Sequence, residues 1–207
     1  MTDVTIIGIG NMGAAIAAVV ANAGAHVQVV ARDVVKAEAL AAQVGGTAAG
    51  VGDPLSGSIV IFAVPFAAVD ELVQAYGPTL ADKIVVDITN PVDGATFDGL
   101  TVPADSSAAA DLAAKLPTAR VIKAFNTNFA STLASGAVGD ATTTVLVAGD
   151  DADAKKALID LIVAGGLAAE DAGSLKRARE LESIGFLQIT LAASERIAWT
   201  GGFALTR

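Results

Sequence analysis

The 207-residue chain contains no cysteine, so disulfides, thiolate nucleophiles and thiolate metal sites are all excluded. Its single histidine, His26, cannot build a histidine-based metal centre, and no metal site is expected. Aromatic residues make up only 4% against 53% hydrophobic residues, which requires an aliphatic, alanine-rich core. Such interiors suit helices packed closely on a sheet of Val and Ile strands. Charged residues, at 17%, fall below the usual share of about a quarter. Some apolar surface is therefore expected to be covered by a second copy, giving a homodimer. Long apolar runs are also missing. Asn22, Gln188 and the Glu195-Arg196 pair interrupt the most apolar stretches before the ~18 residues a membrane span needs. No basic segment precedes the first apolar run as it would in a signal peptide. A cytoplasmic protein with no membrane partner is the expectation.

The net charge of −9 argues against nucleic acid as a partner. That charge is uneven. Eight basic and nineteen acidic side chains precede residue 174, against five and three from there on. The C-terminal excess of cations reads either as a solvated helix face or as a site for an acidic ligand.

The order of segments is informative. Val4-Thr5-Ile6-Ile7 is a β-rich run ending at Gly8, followed by an alanine-rich helix over 12–23 that Gly24 closes. Residues 26–31 form a second strand, and Asp33 stands where the N-cap of a helix to about residue 43 belongs. Further strands are expected at 58–63, 83–87, 120–124 and 143–148, with a short one near 167–171. Helices are expected at 66–75, 107–116 and 151–164, with a long final one over about 174–199. Alternation at this spacing predicts an α/β fold: a doubly wound, mostly parallel sheet of Rossmann type with a long C-terminal helix. Residues 1–173 would form the dinucleotide-binding domain, and 174–207 a helix and tail packed on it.

Gly8-Ile9-Gly10-Asn11-Met12-Gly13 lies between that first strand and helix, which is the context a dinucleotide fingerprint requires. Gly8 would permit the tight turn, Gly10 the approach of a pyrophosphate, and Gly13 close packing of helix on strand. The plainer reading is a glycine-rich turn without a ligand. After the second strand comes Ala31-Arg32-Asp33. Arg32 can pair with a 2′-phosphate that a carboxylate would repel, and Lys36 adds a charge one turn later, which favours NADP. The rival reading makes Asp33 the ribose acceptor and the nucleotide NAD. Three more segments end strands at the sheet edge where ligands bind: Ala63-Val64-Pro65, Asp87 to Asn90-Pro91, and Lys123-Ala124-Phe125-Asn126-Thr127. Each alone reads as turn punctuation. Together they outline a nicotinamide pocket.

The combination GIGNMG, ARD, FAVP, DITNP, VIKAFNT, DAG-L---R-LE and WTGGF resembles the coenzyme F420-dependent NADP oxidoreductase family over nearly the whole chain. It is also similar to the cytoplasmic reductase domain of the six-transmembrane ferric reductases. The resemblance implies hydride transfer between NADP and coenzyme F420 as second substrate, the two rings stacked in a cleft at the strand ends. Ile9 to Met12 match the family's phosphate loop, and Arg32 and Lys36 its 2′-phosphate contacts. Val64, Pro65, Ala124 and Asn126 match the surroundings of the nicotinamide ribose and ring. Ala31 departs from the family's frequent Ser or Thr, which lessens the NADP preference without reversing it.

Transfer between stacked rings needs alignment more than an acid or base, so no catalytic residue is assigned. Lys123 borders the expected pocket, yet a strand lysine can equally point to solvent. Imine reductases and hydroxyacid dehydrogenases with a similar first domain add a large helical domain, whereas only one helix and a tail follow residue 173 here. Leu181, Ile184, Leu187 and Leu191 make an apolar stripe on that helix, widened by Phe186 and Ile189. The acidic tail of F420 would need Lys176, Arg177, Arg179 and Arg207 as partners. The alternatives are an NADPH-dependent reductase of a flavin, ferric chelate or small carbonyl, and an NADP-binding sensor without turnover.

Overall fold

Val4 and Ile6 face one side of the first strand and Thr5 and Ile7 the other, and all four are buried. That pattern demands helices on both faces of the sheet, and the computed structural model, which describes residues 2–206, supplies them. The chain runs β1 (Asp3–Ile7), α1 (Asn11–Asn22), β2 (His26–Ala31), α2 (Val34–Val44), β3 (Thr47–Gly50) and β4 (Ile59–Phe62). It continues through α3 (Val69–Tyr76), β5 (Ile84–Asp87), α4 (Ala108–Lys115), β6 (Arg120–Lys123) and α5 (Ala130–Ser135). A small hairpin of β7 (Ala137–Val138) and β8 (Ala141–Thr142) precedes β9 (Thr144–Gly149), α6 (Ala152–Ala164), β10 (Ala168–Gly173) and α7 (Ala178–Ala193).

Eight strands form the central sheet in the order β10-β9-β6-β5-β4-β1-β2-β3. Every neighbouring pair is parallel except β6 with β9. The expected doubly wound, mostly parallel sheet is therefore the observed one. The chain leaves β1 toward β2 and β3, then returns to place β4 on the other side. The carboxyl ends of β1 and β4 thus flank the point where the winding reverses, and a crevice opens there. One apolar core gathers Ile16, Val20, Leu40, Leu158 and Ile162 on one face; the other gathers Leu72, Tyr76, Leu112 and Leu116. Asp33, Ser107 and Asp151 each accept a backbone N–H at the start of α2, α4 and α6, which sets those helix starts.

Strand β3 was not expected; Thr47-Ala-Ala-Gly50 has neither the β-branched content nor the alternation that marks a strand. It forms because β2 offers it an open edge. The last helix is shorter than the pattern predicted. A 3-10 turn at Leu175–Arg177 leads into α7, and the helix stops at Ala193, with Glu195 left-handed at φ 58°. Its inner face also differs. Ala178, Leu181, Glu182, Gly185, Gln188 and Ala192 are buried, whereas Ile184 and Leu187 are exposed. The apolar stripe is therefore only partly the packed one, because two buried polar side chains hold the helix instead. Among the described residues, no helix is long and apolar enough to cross a membrane.

Candidate functional site

The loop after β1 is shaped by two glycines that have no room for a side chain. A Cβ on Gly8, which sits at φ 119°, would lie 2.1 Å from the Ala63 carbonyl oxygen at the end of β4. A Cβ on Gly13 would lie 2.1 Å from the Gly8 carbonyl oxygen. Gly10 differs: a Cβ there would meet nothing within 4 Å. The first helical bond runs from the Ala14 N–H to the Gly10 carbonyl, so the N–H groups of Asn11, Met12 and Gly13 are not taken up by the helix. Open space over Gly10, free donors and no acid in the first turn of α1 make a cradle that fits a pyrophosphate. Gly10→Ala should leave stability within about 1 kcal/mol while weakening dinucleotide binding at least roughly tenfold. Thermal denaturation and a nucleotide titration check this; Gly13→Ala should instead lose the fold.

A cavity of about 300 Å³ opens on one side of this loop, lined by Gly8, Ile9, Gly10, Ala31, Arg32, Ala63, Val64 and Pro65 among others. Arg32 is thus brought beside the phosphate loop. Ala63, Val64 and Pro65, expected around the nicotinamide, line this cavity and not the one that holds Asn90 and Asn126, because β4 ends against Gly8. Arg32 is exposed at this cavity's edge with no ion pair among the described residues. Asp33 is engaged elsewhere. Its carboxylate accepts the Lys36 N–H at 3.1 Å and pairs with the Lys36 ammonium at 3.0 Å, and those bonds hold its carboxyl below the usual range. Lys36 does not line the cavity, and its charge is already balanced by Asp33.

On the other side of the loop lies a larger cavity of about 520 Å³, lined by Asn11, Met12, Ile88, Asn90, Asn126, Asn128, Phe129, Ala130, Ser131, Ile189 and Trp199. None of these side chains titrates between pH 2 and 12. Asn90 and Asn126 are tied reciprocally: the Asn90 amide donates to the Asn126 carbonyl, and the Asn126 amide to Asn90 Oδ1, both at 2.9 Å. Asn126 also donates to the Leu181 carbonyl of α7 at 2.9 Å. It is aimed by a tight turn in which the Asn126 N–H reaches the Ala124 carbonyl at 2.8 Å and Phe125 takes φ 63°. A bulky residue rarely adopts that conformation, and strain of this kind gathers at functional sites. Ala124 itself is fully buried and lines neither cavity.

Trp199 forms the outer wall, its ring centroid 4.9 Å from that of Phe129. Its carbonyl accepts the Ser131 hydroxyl, and the tail beyond it is clipped by Gln188, which accepts the Phe203 N–H at 2.9 Å and donates to the Thr127 carbonyl at 3.1 Å. Asn128 and Phe129 were missed by sequence reasoning. The signal available was that they prolong the same strand-end segment as Asn126.

Lys123 does not point to solvent. It is fully buried, with its ammonium 2.7 Å from Asp87 Oδ2 and 2.8 Å from Glu182 Oε1, and it also donates to the Thr89 carbonyl. Register explains the first pairing, since Asp87 and Lys123 are partners on adjacent strands. Glu182 also accepts the Ala108 N–H at 2.9 Å and the Ala109 N–H at 3.3 Å, at the start of α4. Burial raises the Glu182 carboxyl above its ordinary range, against the pull of Lys123.

The cations proposed for an acidic tail are not gathered at either cavity. Arg177 pairs with Glu180 at 3.1 Å, Arg179 lines a separate cavity beside Ser106 and Ser183, and Lys176 is exposed. Arg207 lies outside the described residues. Among the described residues, no group of His, Asp or Glu is placed to hold a metal ion.

Residues 3–91 match the family model described as NADP oxidoreductase, coenzyme F420-dependent. The metalloreductase STEAP3 of Rattus norvegicus is 33% identical over 132 residues, 64% of this chain and 26% of that protein. The chain thus spans about a quarter of that relative's length. A candidate F420-dependent NADP-reductase from Arthrobacter sp. FB24 superposes with a TM-score of 0.86 at 26% identity, with 100% of both chains covered. A protein of Sinorhizobium meliloti superposes with a TM-score of 0.74 at 28% identity, over 84% of this chain and 86% of its own.

Proposed function

We propose, from the match of residues 3–91 to the family of coenzyme F420-dependent NADP oxidoreductases, that the chain transfers hydride between NADP(H) and the ring of coenzyme F420. The Gly8–Gly13 loop separates two cavities, which suits a dinucleotide lying across it with its adenosine half beside Arg32 and its nicotinamide toward Asn90 and Asn126. When bound, the nicotinamide supplies or accepts the hydride at its C4 position. Met12, Asn90 and Asn126 would hold the ring plane, and Phe129 and Trp199 would cover the opposite side of the cavity and exclude water.

One observation carries the choice of acceptor. No side chain lining the larger cavity can donate a proton near neutral pH beyond a serine hydroxyl. Reducing a carbonyl or imine develops charge on one atom and calls for a positioned acid. A conjugated ring spreads that charge and takes its proton from water, so alignment alone suffices. The description of the Arthrobacter neighbour, matched over the whole of both chains, supports the same reading. The likeness to a metalloreductase supports a second one, in which the ring is a flavin that passes electrons on to ferric iron.

The test mixes the protein and NADPH with F420, a free flavin plus ferric chelate, or a cyclic imine in separate reactions. Bleaching of the deazaflavin's visible absorbance at a rate far above the other two supports the proposal. Iron reduction that needs flavin supports the second reading, and turnover of the imine alone overturns both.

A further inference from the structure

We infer that Lys123 and Glu182 are positioning residues: their buried cluster with Asp87 sets the distance between α7 and the strand ends, and so the placement of the Asn90–Asn126 pair that floors the larger cavity. The inference rests on the hydride-transfer reading of that cavity.

The cluster joins four elements at one point. Asp87 ends β5, Lys123 ends β6, Glu182 comes from the second turn of α7, and its carboxylate closes the start of α4. The Lys123 ammonium donates to Asp87 and to the Thr89 carbonyl and pairs with Glu182 at 2.8 Å. Each charged residue also stands just ahead of cavity residues on its own segment. Asp87 precedes Ile88 and Asn90, Lys123 precedes Asn126 and Asn128, and Glu182 precedes Ile189 by two turns.

The link from cluster to cavity floor is short. Asp87 Oδ1 accepts the Thr89 N–H at 2.9 Å, which fixes the turn that delivers Asn90. Asn126 donates to the carbonyl of Leu181, the neighbour of Glu182. One turn on, Gly185 lets α7 come down on the amide pair, since a Cβ there would lie 2.5 Å from Asn90 Oδ1 and 2.8 Å from the Asn126 carbonyl oxygen. Stability alone does not call for this arrangement. Buried ion pairs contribute little beyond a well-packed apolar set of the same shape, but they fix geometry through directional bonds. The three charged groups do not line the cavity, so they act through the asparagines and not on the reacting atoms.

Glu182→Gln tests this, because glutamine keeps the shape and one acceptor for α4 while weakening the tie to Lys123. Gly185→Ala is the second variant, lifting α7 off the amide pair with every charge in place. Each is expected to slow single-turnover hydride transfer at least roughly tenfold, the scale of a sub-ångström misplacement. The Kd for NADPH should stay within about twofold, because the phosphate loop and Arg32 are untouched. Trp199, the one tryptophan, lines the same cavity and reports on it without turnover; its emission should shift in both variants. Wild-type rates and emission in folded variants would overturn the inference, as would a loss of nucleotide affinity parallel to the loss of rate. Should the wild type transfer hydride to no acceptor, the functional reading falls. The Trp199 emission then decides the positioning role by itself: a shift in both variants supports it, and none overturns it.

Discussion

Arg32→Glu is expected to raise the Kd for NADP about 100-fold while leaving that for NAD within a few-fold. Arg32 is the unpaired cation at the edge of the smaller cavity, so its guanidinium is available to a 2′-phosphate in a two-pronged, charge-assisted contact. Losing that contact and gaining a like charge together amount to ~2.8 kcal/mol, at about 1.4 kcal/mol for each factor of ten. The neighbouring carboxylate does not compensate in the native protein. Asp33 is held by the Lys36 backbone and ammonium at the start of α2, which leaves it poorly placed to accept a ribose diol. The same pairing makes Lys36→Ala a mild change, expected to alter NADP affinity less than roughly threefold, since an exposed ion pair is worth little. Isothermal titration of both variants with both nucleotides checks the pair of expectations. Equal losses for NADP and NAD would show that Arg32 does not read the 2′ position.

Lys123→Met should lower stability by about 3–5 kcal/mol near neutral pH. Among the described residues it removes the one cation paired with Asp87 and Glu182, and both carboxylates stay buried. The loss should depend on pH with a definite sign. Burial already raises Glu182 above its ordinary value, so its share of stability is fully present below the unfolded carboxyl pKa and is lost as pH rises through the raised one. Without Lys123 that folded value rises further. The variant should therefore lose less relative to wild type at pH 5 than at pH 8. Urea unfolding at the two pH values measures it. A loss independent of pH would mean that the damage is packing and not charge.

These two residues mark what was legible in the sequence. Arg32 follows a strand and a glycine fingerprint at a fixed spacing, so its position at the crevice could be read from the chain alone. So could Asn90 and Asn126, which end strands at the same sheet edge. Lys123 could not, because its environment depends on Glu182, 59 positions away, and a strand period says which face a residue takes but not what covers it. Helix α7 failed for a related reason. Its leucines and isoleucines suggested an apolar inner face, while Glu182 found partners in Lys123 and the start of α4, and Gln188 in the Thr127 carbonyl, so both are buried. β3 was missed because an open edge, not propensity, recruits it. Local chemistry was readable wherever a backbone conformation or a cap dictated it; pairings across the fold were not.

The most direct test of the account follows the hydride itself. NADPH deuterated at C4 on the transferred face is mixed with the protein and F420 in ordinary water, and the reduced ring is examined by mass spectrometry. Direct transfer across the larger cavity predicts one deuterium retained on a ring carbon of the acceptor, with a rate that falls in Glu182→Gln. A reduced ring carrying only solvent hydrogen would contradict it.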